Sequence, residues 1–107
     1  MIVLCNAFSL NMLAPDMSGL NFSVARVTVE HARAAISLGF TSAVGHAETA
    51  DVFASVLGVP VPHARVNVVL RPEAELLVGQ YVGVRLPEGA TSLPEGARID
   101  WFVVVVG

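Results

Sequence analysis

Few residues in this sequence are placed to do chemistry. His46 directly follows Gly45 and precedes a helical pattern, Ala47 to Leu57, closed by Gly58. A short apolar run, Thr41 to Val44, comes just before. The local reading is a strand, a glycine turn, and a histidine at the mouth of a helix. Free backbone N–H groups and the positive dipole end of a helix N-terminus favour an anion there. A histidine at that point can meet a phosphate and hand it a proton. Ser9, in the first loop, and the strand-end arginines Arg65 and Arg85 are the other candidates. No cysteine pair and no His-Glu-x-x-His occur, and the three histidines are scattered, so no known metal pattern is present. Glycine-rich nucleotide loops and the G-x-S-x-G elbow are missing as well.

These residue types suit a metal-free cut of RNA. The ribose 2′-hydroxyl attacks its own phosphate, so a protein has to hold that geometry, neutralise the growing charge and protonate the leaving 5′-oxygen. One histidine and one or two arginines suffice. An ordinary imidazole, with a pKa of about 6.5, is available as an acid near neutral pH. A bound phosphate favours its charged form and the helix N-terminus opposes it. Structural readings stand beside these. On spacing alone His46 is first a helix-cap or turn histidine. Arg65 and Arg85 are ordinary strand-end cations, Asn6 and Asn11 are turn formers, and Ser9 has no neighbouring base. His31 and His63 read as surface or loop histidines without a role.

The elements that must position these residues follow from patterning. Ile2 to Cys5 is a buried strand ending at Asn6, and Pro15, Asp16, Ser18 and Gly19 mark a loop. Phe22 to Val27 is a second strand. Thr28 is an N-cap for a helix running to about Leu38, with Ala32, Ala35 and Ile36 on its inner side. Phe40 to Val44 is the third strand, and the helix after His46 buries Val52, Phe53 and Val56. Pro60 and Pro62 make an extended connection. Arg65 to Leu70 and Glu75 to Val84 are expected to pair as a hairpin. Leu86-Pro-Glu-Gly89 and Leu93-Pro-Glu-Gly96 are two turns around one surface loop. Arg98 to Val106, with its Trp-Phe-Val-Val-Val-Val run, is a strand buried on both faces and central in the sheet. The expectation is one α/β (α+β) domain over residues 1–107, with a mixed sheet of about five strands and two flanking helices.

Composition narrows the partners. The chain has 107 residues, 54% of them hydrophobic, and a mean hydropathy of +0.68. No segment approaches the roughly 18 uncharged apolar residues of a spanning helix, so the surplus belongs in buried strands or a subunit interface. A net charge of −3 argues against a DNA-coating protein, which needs a basic face. All six basic residues are arginine, so any basic phosphate contact uses the planar guanidinium fork. The lone cysteine, Cys5, fits a reducing, cytoplasmic setting and a small buried apolar role.

Three stretches together resemble one family. Asn6-Ala-Phe-Ser-Leu-Asn-Met-Leu13, Val44-Gly-His-Ala-Glu-Thr49 and Arg85-Leu-Pro-Glu-Gly89 are similar, in order and over nearly the whole chain, to the viral anti-CRISPR ring nucleases of type III systems and their bacterial counterparts. The resemblance implies a homodimer that binds cyclic tetra-adenylate and cuts it, without metal or cofactor, to linear di-adenylate through a 2′,3′-cyclic phosphate. It implies His46 as general acid, and Asn6, Ser9 and Asn11 as groups that bind and orient the ring beside Gly45. Arg85 would contact phosphate, Glu88 and Gly89 would lie in a loop over the ligand, and Arg65 and Gln80 would be secondary binders. A sponge that holds the ring uncut, and a structural or regulatory viral protein, are the competing readings.

Overall fold

The computed structural model describes residues 1–107. The chain order is β1 (Ile2–Cys5), a 3-10 turn (Leu10–Met12), β2 (Phe22–Val27), α1 (Val29–Ala35), β3 (Phe40–Ala43), α2 (Ala47–Leu57), β4 (Glu75–Val82) and β5 (Arg98–Val106). The five strands form one mixed sheet in the order β2-β5-β4-β1-β3. β1 runs parallel to both β3 and β4, while β5 is antiparallel to β4 and β2. This is the expected α+β domain with two helices.

Both helices pack on one face. Ala32 of α1 and its C-cap residue Ile36, and Ala50, Phe53 and Leu57 of α2, join Ile2, Leu4, Leu77 and Trp101 in the larger core. The other face is roofed by loops: Cys5, Leu76, Val78, Val104 and Val106 pack with Leu70, and Phe8, Met12 and Leu13 lie against them. Side chains on β5 therefore alternate, Trp101 into one core and Phe102, Val104 and Val106 into or against the other. That alternation explains its unbroken apolar run. β5 is interior, but the middle position belongs to β4.

The expected hairpin does not form. Both edges of β4 are occupied, by β1 and by β5, so Arg65 to Leu70 has no seat beside it. The segment runs as an extended strap instead. With the residues just before it, from His63, it is tied by single bridges, Val44 with His63 and Leu13 with Leu70, and its last residue, Leu70, is buried. Its own neighbours Val66 and Val69 stay more than half exposed. Long-range pairing of two long strands has outcompeted a local turn. β4 also ends at Val82 rather than Val84, and α1 at Ala35 rather than Leu38. At the latter, Ser37 N–H and its Oγ both donate to the Ala34 carbonyl, which tightens the last turn before Gly39.

One glycine is dictated by packing. Gly79 on β4 lies under the Phe53–Trp101 pair, whose centroids are 5.0 Å apart. A Cβ there would come within 2.6 Å of both rings. The pair connects α2, and thus His46, to the sheet.

Candidate functional site

Three parallel strands, β1, β3 and β4, end at the same edge of the sheet. From β1 the chain turns onto the loop-covered face; from β3 it enters α2 on the helical face. Where connections diverge in this way, a crevice opens at the carboxyl ends of the strands. Two cavities lie there, and Gly45 links them, bonded to Asn6 of one and followed in the chain by His46 of the other. One, of about 1040 Å³, is lined by His46, Glu48, Thr49, Tyr81, Gly83 and the stretch Arg85 to Glu88. The other, of about 490 Å³, is lined by Asn6, Ser9, Asn11, Asn67 and apolar neighbours including Met12 and Val68. A groove of about 720 Å³ elsewhere, near Met1, Leu38 and Arg71, contains none of the expected residues.

Gly45 is pinned from both sides. Its N–H donates to Asn6 Oδ1 at 3.4 Å. Its carbonyl accepts from Arg65 Nε at 3.3 Å and faces His63 Nε2 at 3.1 Å. Side chains from the β1 end and the strap thus fix the peptide that leads into His46. The strap is held in turn by Ala64 N–H on the Val44 carbonyl and by Ser42 Oγ on the Pro62 carbonyl.

His46 is the N-cap residue of α2, in extended backbone, and makes no capping bond with its side chain. Ala50 N–H closes the first helical turn on the His46 carbonyl, and the Thr49 N–H is left without an intramolecular partner. The imidazole is therefore unspent and stands beside an open donor. Glu48 lies in the same turn. Its carboxyl is held below the usual carboxylate range, first by its own backbone N–H and next by the Gly89 N–H, which donates at 3.4 Å. Gly89 sits at φ +80° in a turn closed by Ala90 N–H on the Pro87 carbonyl; Gly96 repeats this geometry with Ala97 and Pro94. The duplicated Leu-Pro-Glu-Gly motif is thus two equivalent turns in one loop, and the first is tethered to α2.

The expected site residues fall into three places. His46, Arg85 and Glu88 share the larger cavity, with Gly89 attached to it through Glu48. Asn6, Ser9 and Asn11 share the smaller one. Gly45 and Arg65 line neither and are bonded to each other. Gln80 joins neither: it lies on the loop-covered face with Phe8, Val24 and Phe102. Ser9 also caps the 3-10 turn, accepting from the Asn11 N–H at 3.2 Å, so its structural reading holds in part. Sequence reasoning missed His63, Glu48 and Asn67. His63 had a usable signal, since in an extended segment it shares a side with Arg65 two residues on. Glu48 had one too, since it lies in the first turn after His46; Asn67 had none, because its neighbours come from distant segments. No group of three His, Cys, Asp or Glu side chains is arranged to hold a metal ion. No helix is long and apolar enough to cross a membrane.

The profile of the STIV B116-like family matches residues 2–98. The chain belongs to that family. Among solved structures, B116 of Sulfolobus turreted icosahedral virus superposes with a TM-score of 0.80 at 24% identity, over 97% of each chain. At that identity the likeness establishes the shared fold. No curated protein matches at a significant level.

Proposed function

We propose that this chain is a metal-independent ring nuclease. It binds cyclic tetra-adenylate and cuts it to linear di-adenylate, ending the second-messenger signal of type III CRISPR systems. The observation that carries this reading is the unspent His46 imidazole at the mouth of α2, facing a cavity with Arg85 on its rim. In the reaction, the ribose 2′-oxygen attacks the adjacent phosphorus and its proton passes to water. The bond from phosphorus to the 5′-oxygen breaks, and the His46 imidazolium protonates that oxygen. The products carry a 2′,3′-cyclic phosphate and a 5′-hydroxyl. Arg85 and the free Thr49 N–H neutralise charge at phosphate.

A ring of four equal nucleotides has two-fold symmetry, and a homodimer matches it with one His46 per half. Within one chain, Arg85 and His46 share their cavity with the carboxylates of Glu48 and Glu88, and a second copy would present a second Arg85 and His46 to the other half of the ring.

The test is incubation with cyclic tetra-adenylate in EDTA, with products followed by chromatography. The expected result is di-adenylate from the native chain, and a rate at least about 100-fold lower for His46→Ala with the ring still bound. Arg85→Ala should weaken binding. Tight binding without cleavage by the native chain would assign a sponge. Neither binding nor cleavage would overturn the reading, and unchanged cleavage by His46→Ala would remove that residue from it.

A further inference from the structure

The smaller cavity has a composition that the larger one lacks. It carries no charged side chain; its polar groups are the amides of Asn6, Asn11 and Asn67 and the Ser9 hydroxyl, set among Met12, Val66 and Val68. Asn6 is engaged with the Gly45 N–H, whereas the amides of Asn11 and Asn67 have no intramolecular hydrogen bond. Arg65, the nearest cation in sequence, does not line the recess, and its Nε donates to the Gly45 carbonyl. Apolar walls with a few convergent amides describe a recess for a neutral, planar, hydrogen-bonding group rather than for a phosphate.

We propose that this recess holds one adenine base of the ligand, and that Asn67 is a specificity-determining residue for it. The proposal rests on the ring-nuclease reading and extends it. A primary amide presents a donor and an acceptor side by side, the complement of adenine N7 and N6–H₂. A 6-oxopurine offers acceptors at both positions and leaves the amide oxygen facing a lone pair. A base lies on one side of its ribose and the phosphate on the other. The two cavities repeat that order across Gly45, with the base recess beside Asn6 and the phosphate side beside His46. The strap contributes to both: His63 and Arg65 hold Gly45, and Asn67 reads the base. Asn67 reaches this position because the segment is a strap and not the hairpin strand its sequence suggested.

Two rings serve as probes, cyclic tetra-adenylate and cyclic tetra-inosinate, in which each 6-amino group is replaced by a 6-oxo group. Equilibrium binding is measured in a His46→Ala background so that the rings stay intact. The expected result is a preference for the adenylate ring, with Asn67→Ala weakening that ring about tenfold and the inosinate ring much less. Asn67→Asp keeps the shape and the acceptor for N6–H₂ but sets a lone pair against N7, so it should weaken both rings and leave the adenylate ring ahead of the inosinate ring. Asn67 is exposed and has no internal partner, so the melting temperature should hold for both variants. If the adenylate ring binds as tightly to Asn67→Ala as to its parent, or if both rings weaken equally, the base recess is overturned and the ring-nuclease reading stands. If the native chain neither binds nor cleaves cyclic tetra-adenylate, that reading fails and the recess assignment fails with it.

Discussion

The two helices begin differently. At α1, Thr28 accepts the N–H of His31 at 3.1 Å, an ordinary side-chain cap on the third helical residue. At α2 the equivalent position is His46, in similarly extended backbone, and the third N–H, that of Thr49, stays open. One start is optimised for stability. The other leaves a donor and an imidazole available at a cavity. A cap is worth about 1 kcal/mol, so α2 forgoes roughly that much at the end where the chemistry is proposed. The remaining support for α2 comes from tertiary packing, through Phe53 against Trp101 and Leu57 in the core.

The largest expected effect tests that compensation. Gly79→Ala places a methyl 2.6 Å from both aromatic rings that anchor α2. Overpacking of this kind costs about 1–3 kcal/mol, measurable by urea denaturation; an unchanged midpoint would mean that the Phe53–Trp101 pair is not what fixes the helix. Next, Thr28→Ala should cost about 1 kcal/mol while leaving any cleavage rate intact, since the α1 cap lies away from the site. A loss of activity without a loss of stability would erase the distinction between the two helix starts. The reverse exchange, His46→Asn, should gain up to about 1 kcal/mol by capping Thr49 N–H and lose cleavage; a destabilised variant would show that the start of α2 cannot accept a side-chain cap.

The smallest effect is electrostatic. Because the folded Glu48 carboxyl is held below its ordinary value of 4.5, its contribution is complete above that pH and declines on acidification through the lower folded value. Amide exchange at Gly89, followed by NMR, should therefore speed up as pH falls below about 4.5 relative to the intrinsic rate, and Glu48→Gln should remove that dependence. Protection that is independent of pH would detach the loop from α2. Cys5 provides an internal control of opposite sign. Burial pushes its thiol up to about 11, so its charged form is disfavoured by folding where that of Glu48 is favoured.

Much of this was legible in the chain itself. Thr28, Gly58 and the apolar spacing of Ala47 to Leu57 specify their helices through local sterics and capping, which need no distant partner. The β-branched runs specify the strands, and Gly45-His46 announces a helix mouth. The resemblance added the site residues, and the structure brings most of them to one edge. What patterning could not supply was pairing. Arg65 to Leu70 has strand composition, yet whether it pairs depends on who already occupies β4, and β1 lies about seventy residues away in sequence. That single outcome turned a hairpin strand into a strap, and put His63 and Arg65 on Gly45 and Asn67 in the smaller cavity. It also left Gln80 on the far side of the sheet from His46. The sequence by itself determined the two helices, the five strands that form and the candidate reactive group, because propensity, capping and side-chain chemistry are local. Only the tertiary structure decided which faces and cavities those groups share, because hydrogen-bond competition along a sheet is settled between segments far apart in the chain.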